Sequence, residues 1–154
     1  MSTIEISYSL SLGSDLVPES GVDSALSKYR PTNTGNEIYG ALVLIYGGEI
    51  VLDERYWDRL DLFLSRMFSA IRNAQPETAQ VFELEDTHVE CNVLLMHNDM
   101  IRVIIDERLV LDAPRPTWLN ELRACARRLC HMFLRHDLAV PAHLVLIIDT
   151  EVRT

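Results

Sequence analysis

The sequence predicts an α+β domain: a mainly antiparallel sheet of about six or seven strands, with two principal helices packed on one face. Three observations support this class. Apolar and polar residues alternate in several short segments, which is the period of a half-buried strand. Short turns such as Gly47-Gly48 separate neighbouring strand segments, so we expect antiparallel pairing. Two longer segments repeat apolar residues every three or four positions, as amphipathic helices do.

The first strand is predicted over residues 3–12, where apolar residues alternate with polar ones. The apolar positions are Ile4, Ile6, Tyr8, Leu10 and Leu12. A long polar loop, residues 13–37, follows this strand. The loop is rich in Gly, Pro, Ser and Asn, with at most a short helical turn over residues 22–29. Long loops often carry contacts to other molecules, so residues 15–36 are a candidate contact region.

A hairpin and the first principal helix come next. Residues 38–53 predict two strands joined at Gly47-Gly48, a pair that tolerates the positive φ angles of a tight turn. Residues 53–74 predict an amphipathic helix, with Asp53 as its N-cap. The apolar face of this helix consists of Trp57, Leu60, Phe63, Leu64, Met67, Phe68 and Ile71.

The second half of the chain predicts three or four consecutive strands, a second principal helix and a last strand. The four strand segments are residues 78–86, 88–97, 100–107 and 108–114. Pro114 and Pro116 end the fourth of them, and Thr117 is expected to cap a helix that starts at Trp118. Residues 142–150, AHLVLIIDT, predict a final strand that is apolar on both faces.

Length and composition indicate a single domain, residues 1–154. The hydrophobic content of 48% supplies a core, and no apolar run reaches the roughly 20 residues that cross a membrane. The N-terminus lacks the basic and apolar regions of a secretory signal, so we expect a cytoplasmic protein that does not bind membranes. The formal net charge of -9 argues against binding to nucleic acid, because Lys and Arg bind phosphate backbones.

The cysteines and histidines do not predict a metal site. Cys125 and Cys130 are five positions apart on the second predicted helix, so their side chains point about 140° away from each other. Neither a disulfide nor a shared metal ion fits that geometry. His131 and His136 have the same spacing. We therefore expect structural cysteines, no metal and no cofactor.

A basic row runs along the second predicted helix. Its members are Arg123, Arg127, His131 and Arg135, each four positions from the next. The row fits pairing with acidic residues of the same chain or of a second copy, which makes it a secondary interface candidate. One such row, without a recognised DNA- or RNA-binding motif, does not indicate nucleic acid.

Two groups of carboxylates are the primary candidates for binding a partner. Residues 1–113 carry 19 Asp and Glu residues against eight Lys and Arg. The candidates are Asp53, Glu54, Asp58 and Asp61 at the start of the first predicted helix, and Glu83, Glu85, Asp86 and Glu90 around a strand junction. A basic protein partner would be attracted by such groups. A solvated face is the alternative explanation, since charged side chains are usually exposed.

The motifs of the common hydrolases, phosphate-binding loops and zinc enzymes are absent from the sequence. His88 and Glu90 share one face of a predicted strand, with Cys91 on the other face. His97 and Asp99 lie in a predicted turn. These residues keep open an enzyme whose site has no recognised motif, although a polar strand face and a turn explain them better.

The leading functional hypothesis is a non-enzymatic binding protein, in particular a bacterial immunity or antitoxin-type inhibitor that masks a basic toxin enzyme. The alternative is an accessory or homodimeric module of a larger assembly. An enzyme with an unrecognised site is the third hypothesis. No family motif favours one of the three, so the expectation depends on the charge pattern and on the lack of catalytic motifs.

Overall fold

The computed structural model describes residues 3–13, 15–28 and 38–149. Within these ranges the chain forms nine strands and four helices, and the strand pairs are antiparallel. The α+β class predicted from the sequence is therefore confirmed. The prediction of one sheet with six or seven strands is corrected: the strands divide between two sheets, because those after residue 78 pair only with one another.

The first sheet contains the strands of the N-terminal part of the chain. They are β1 (Ile4–Leu12), β2 (Asp15–Pro18), β3 (Tyr39–Tyr46), β4 (Glu49–Leu52) and the two-residue β5 (Asp58–Arg59). Their order is β2-β1-β3-β4, and β5 pairs with the start of β3. The alternation predicted for β1 is confirmed, because its five apolar residues are all buried in the core.

Glycines allow a tight turn and a close approach of two strands in this sheet. Gly47 and Gly48 have φ angles of 59° and 85°, and they form the predicted tight turn between β3 and β4. Gly40 lies opposite Leu10 in the β1–β3 pair, and a Cβ atom at this position would clash with the backbone carbonyl of Ser9. A larger residue at position 40 would therefore push the two strands apart.

The second sheet is an antiparallel meander. Its strands, in both chain order and spatial order, are β6 (Gln80–Glu83), β7 (Glu90–Leu95), β8 (Met100–Ile105) and β9 (Leu109–Pro114). The inner face of this sheet is buried, with apolar side chains that include Cys91, Val93, Ile101, Val103, Ile105 and Leu111. The outer face carries the alternate residues of each strand, among them Val81 and Val110, which are exposed.

Four helices complete the described part of the fold. They are α1 (Glu19–Leu26), α2 (Leu60–Arg72), α3 (Arg115–Arg135) and α4 (Ala142–Asp149). The principal helices α2 and α3 pack against each other and against both sheets, and α4 packs against α2 and α3. Trp118 at the start of α3 is fully buried, and its Nε1 donates a hydrogen bond to the carbonyl oxygen of Ile101 at 3.3 Å. One cluster of buried apolar residues joins the helices to both sheets.

The long loop and both predicted helix starts differ from expectation. The segment 13–37 contains β2 and α1, and residues 29–37 lie outside the described residues. Asp53 caps a separate 3-10 turn, in which it accepts a hydrogen bond from the N–H of Arg55 at 3.0 Å, so α2 begins only at Leu60. The second predicted helix, α3, begins directly after Pro114, which places Thr117 inside its first turn.

The predicted last strand is wrong, because residues 142–149 form helix α4. Leu144 and Ile147 are buried at a spacing of three, whereas Val145 and Leu146 between them are exposed. A short apolar run satisfies strand and helix patterns alike. The contacts of α4 with α2 and α3 provide the apolar surface on which this helix folds.

Candidate functional site

Asp58, one of the eight candidate carboxylates, holds a turn of the second sheet in place. Its Oδ2 accepts hydrogen bonds from the backbone N–H groups of Asp86 and Thr87, both at 2.9 Å, and from the Thr87 hydroxyl at 3.1 Å. Its Oδ1 accepts a hydrogen bond from the N–H of Arg59 at 2.7 Å. Because Asp58 is only 1% exposed, a partner cannot reach it, contrary to the expectation from sequence.

Asp61 has a similar framework role. It is fully buried, accepts a hydrogen bond from the N–H of Ile38 at 3.3 Å and pairs with Arg59 at 3.0 Å. Arg59 also lies 3.6 Å from Glu85 in the turn between β6 and β7. Asp58, Arg59 and Asp61 therefore form a network that ties the first sheet to this turn. Both buried carboxylates are removed from the set of partner-binding candidates.

The ionisation state of Asp58 follows from two opposed effects. Burial raises the pKa of its carboxyl group, but hydrogen bonds from Thr87, Arg59 and Asp86 lower the pKa by more. The result is a pKa below the ordinary value of 3.8, so the group is a carboxylate at neutral pH. Sequence reasoning had no signal for this role, because Asp58 and Asp86 are 28 residues apart in the chain.

The six remaining candidates are accessible, and we call them the acidic surface: Asp53, Glu54, Glu83, Glu85, Asp86 and Glu90. The structure links their two groups through Asp58. This residue follows Glu54 by four positions and bonds to the turn that carries Glu85 and Asp86. Two groups that are separate in the sequence are thus parts of one connected region of the fold.

Neighbouring cations and polar groups occupy part of the acidic surface. The pairs are Asp53–Arg55 at 2.9 Å, Glu85–Arg59 at 3.6 Å and Glu83–His88 at 3.4 Å. Hydrogen bonds from the Arg55 backbone and side chain lower the pKa of Asp53. Glu54 and Asp86 have no ion pair within the described part of the chain. A cationic group of another molecule would therefore not have to displace an ion pair at either carboxylate.

Glu54 lies at a groove of about 340 Å³ on the outer face of the first sheet. Ser7 and Ser9 of β1, Val43 of β3 and Ile50 of β4 are among its lining residues. The Ser9 hydroxyl, which is buried, donates a hydrogen bond to Glu54 Oε1 at 3.3 Å. The groove therefore combines a carboxylate with apolar wall surface. Arg and Lys have a matching structure, a cationic head on an apolar stem.

Two large apolar side chains close to Asp53 and Glu54 in the sequence are exposed. Ile50 is 65% exposed where it lines the groove, and Trp57, three residues after Glu54, is 46% exposed. The Trp57 ring lies against the ring of Tyr39, with centroids 6.3 Å apart. Exposed Trp is typical of the residues that dominate binding energy in protein interfaces. The sequence prediction missed this exposure, because it placed Trp57 on the buried face of a helix.

Basic residues of α3 and of its C-cap pair with two carboxylates of α1. Arg135, a member of the basic row, pairs with Asp23 at 2.9 Å, and His136 lies 2.8 Å from the same carboxylate. Arg128, outside the row, pairs with Glu19 at 2.7 Å. Hydrogen bonds from His136 and Arg135 lower the pKa of Asp23. Arg135 of the basic row thus forms an intramolecular contact between α1 and α3.

The other members of the basic row lie in different environments. The Arg123 guanidinium lies 5.1 Å from the centre of the Phe68 ring, a cation–π contact between α3 and α2. Burial, together with the neighbouring Arg127 and Arg72, lowers the pKa of Arg123. Arg127 is partly buried and His131 is exposed. The row is therefore not one continuous binding surface.

The first set of candidate catalytic residues does not converge on one point. His88 is exposed and lies 3.4 Å from Glu83, whereas Glu90 accepts a hydrogen bond from the side-chain amide of Asn92 at 2.9 Å. Cys91 is fully buried on the opposite face of β7. The three side chains therefore have different partners and different exposure.

His97 and Asp99 lie in the turn between β7 and β8, as predicted. Asn98 and Asp99 both have φ angles of 58°, the left-handed conformation that Asn and Asp tolerate in turns. The Asp99 carboxylate accepts a hydrogen bond from Arg115 Nε at 2.8 Å. Arg115 also donates hydrogen bonds to the carbonyl oxygens of Arg72 and Ala74 at the end of α2. Asp99 therefore supports the junction of this turn with both principal helices.

The three cysteine thiols are expected to resist modification in the folded protein. All three are buried, and burial raises the pKa of Cys91 and Cys125 to about 12 and that of Cys130 to about 11. The thiolate is the reactive form. We therefore expect no reaction with a thiol reagent at mildly alkaline pH until guanidinium chloride unfolds the chain. Rapid reaction of one thiol in the native protein would instead indicate an accessible, reactive cysteine.

Three further findings bear on function. Among the described residues, no group of three or more His, Cys, Asp or Glu side chains is arranged to hold a metal ion. None of the helices within the described ranges is long and apolar enough to cross a membrane. Comparison of the chain with models of protein families, with curated proteins and with solved structures found no match. The acidic surface and its surroundings are therefore the features that bear on function.

Proposed function

We propose that this protein is a non-enzymatic binding protein whose acidic surface takes up a basic protein partner. The partner class that fits best is a basic enzyme, and the protein then acts in the cytoplasm as an inhibitor of the bacterial immunity or antitoxin type. The observation that carries the proposal is the groove at Glu54. Its carboxylate has no ion pair in the described part of the chain and shares the groove with the exposed Ile50, and the exposed Trp57 follows three residues later in the chain.

The groove supports the proposal because it offers short-range contacts of two kinds. An arginine or lysine head group of the partner would pair with the Glu54 carboxylate, and its stem would lie on Val43 and Ile50. Trp57 offers a large, exposed apolar surface at the side. A few anchors of this type supply most of the affinity in a typical interface, and the surrounding contacts mainly exclude water.

The rest of the acidic surface acts at longer range. Glu85 and Asp86 are exposed on the turn that Asp58 holds in place. Fixed carboxylates of this type attract a basic partner before contact and raise the rate of association, an effect that salt screens. The proposed interaction is therefore fast at low ionic strength and slower as salt is added.

The alternative function, a module of a homodimeric or larger assembly, is favoured by a different surface, the outer face of the second sheet. An enzymatic function has no comparable support, because His88, Glu90 and Cys91 lie in separate environments.

Affinity purification of the tagged protein from its host at low salt tests the proposal. We expect recovery of one basic protein in equimolar amount, its loss as salt rises, and inhibition of its enzymatic activity when the purified protein is added back. The triple variant Glu54→Gln, Glu85→Gln, Asp86→Asn should recover about tenfold less partner. Its matched control is Glu77→Gln, Asp137→Asn, Asp149→Asn, which removes the same charge at exposed sites elsewhere.

Three outcomes would contradict the proposal in whole or in part. Equal loss of partner in the test and control variants would show that net charge acts without a localised site. Recovery of the protein alone at low salt would show that no basic partner binds under these conditions and would overturn the proposal. A stoichiometric partner whose activity is unaffected would retain the binding surface and overturn the inhibitor function.

A further inference from the structure

The outer face of the second sheet is open and carries an apolar residue on each of its four strands. One row across its four strands consists of Val81, Asn92, Ile104 and Val110. Val81 is 57% exposed and Val110 is 48% exposed. Leu94 lies in the next row, and Met96 just beyond β7 is 39% exposed. The opposite face of the same strands holds the buried side chains, so the apolar residues of the outer face are not needed for the core of the domain.

An ion pair lies among these apolar residues. Arg102 of β8 and Asp112 of β9 are direct cross-strand neighbours and form two hydrogen bonds, at 2.8 Å and 2.9 Å. Their side chains are 37% and 36% exposed, so each has surface free for a further contact. The pair has no net charge, although the whole chain has a formal net charge of -9. Two copies of the chain can therefore approach at this face with little repulsion.

The register of β8 and β9 makes this face complementary to itself. Ile104 lies opposite Val110, and Arg102 lies opposite Asp112. Consider a two-fold axis that relates two copies, runs parallel to the strands and lies between β8 and β9. It places β8 of each copy against β9 of the other, and residues of one row stay opposite the same row. Ile104 of one copy then faces Val110 of the other, and Arg102 faces Asp112. Because β9 is the edge strand of the sheet, the two copies overlap through β8 and β9 alone, and each of these facing pairs joins apolar to apolar or positive to negative.

We propose that the outer face of the second sheet binds a second copy of the chain, with Arg102 and Asp112 of each copy paired across the two-fold axis. The proposal is independent of the proposed function, because the residues that face each other across the axis belong to β8 and β9, whereas the acidic surface lies within residues 53–90, before β8. Six-residue strands extend about 20 Å. Such a contact is small beside the roughly 800 Å² per partner of a standard interface, so we expect a dissociation constant in the micromolar range.

Sedimentation equilibrium over micromolar concentrations tests this proposal. The parent protein is compared with two variants in which one charge of the facing pair is reversed. The parent protein is expected to reach twice the chain mass of 17.6 kDa. The single variants Arg102→Asp and Asp112→Arg should each remain monomeric, since like charges then face each other across the axis. An equimolar mixture of the two variants should dimerise again, because every facing pair is then oppositely charged. Circular dichroism of each variant alone establishes that it is folded.

Milder variants keep the test decisive if a charge reversal prevents folding. Val110→Thr preserves the β-branched shape and is expected to raise the dimer dissociation constant by about tenfold. Ile50→Thr, at an exposed strand position of the first sheet, should leave dimerisation unchanged while weakening capture of the basic partner. A monomeric parent protein, a mixture that stays monomeric although both variants are folded, or dimerisation that Val110→Thr leaves unchanged would overturn the proposal.

Discussion

Replacement of Asp58 by alanine is expected to lower the free energy of unfolding by about 3 kcal/mol or more. The variant removes the acceptor of four hydrogen bonds. Their donors are the backbone N–H groups of Arg59, Asp86 and Thr87 and the hydroxyl group of Thr87. Asp58→Asn keeps one acceptor oxygen in nearly the same volume, so a smaller loss is expected. Denaturant unfolding followed by circular dichroism measures both effects.

Acid provides a second test of the same carboxylate. The folded-state pKa of Asp58 lies below its ordinary value of 3.8, so its contribution to stability is complete above that pH. The contribution is lost as the pH falls through the folded-state value. Asp58→Asn should therefore lose less stability on acidification than the parent protein does. An equal acid dependence in the two proteins, or an Asp58→Ala variant as stable as the parent, would contradict the framework role.

Replacement of Trp57 by alanine is expected to weaken binding of the basic partner by at least about 2 kcal/mol, or roughly 30-fold in dissociation constant. The indole is 46% exposed and contacts the Tyr39 ring, so we expect only a small change in the stability of the free protein. Titration calorimetry with the recovered partner measures the effect. Leu134→Ala is the control, because Leu134 is 63% exposed on α3. Unchanged affinity in Trp57→Ala, or an equal loss in Leu134→Ala, would contradict the assignment.

Local sequence signals predicted much of the fold. The strict alternation in β1, the Gly47-Gly48 turn and the left-handed turn at Asn98 all depend on neighbouring residues, and the structure has each of them. The helical spacing that predicted α2 and α3 is also local. Such features are visible in one sequence for two reasons. Turn residues restrict their own backbone conformation, and successive side chains of a strand point to alternate faces.

Features set by distant contacts could not be predicted. The apolar run of α4 is helical because it packs on α2 and α3, and a single sequence does not show which surface covers which segment. The division into two sheets has the same origin, because strand pairing across the chain determines it. In each case the deciding contact joins residues that are far apart in the sequence.

The candidate site shows the same limit. Composition identified both groups of carboxylates, but it did not separate the buried Asp58 and Asp61 from the exposed Glu54 and Asp86. The buried pair became recognisable only through hydrogen bonds to residues 23 to 29 positions away. Trp57 was hidden for a related reason: its spacing fits a buried helix face, yet the chain there forms a separate turn before α2.

The association rate of the basic partner, measured by stopped flow over a range of salt concentrations, tests the central claim most directly. For the parent protein we expect a rate that falls steeply as salt is added. The variant Glu54→Gln, Glu85→Gln, Asp86→Asn should associate about tenfold more slowly at low salt and respond less to salt, whereas Glu77→Gln, Asp137→Asn, Asp149→Asn should stay close to the parent. Identical rates for the two triple variants at every salt concentration would contradict a localised acidic binding surface.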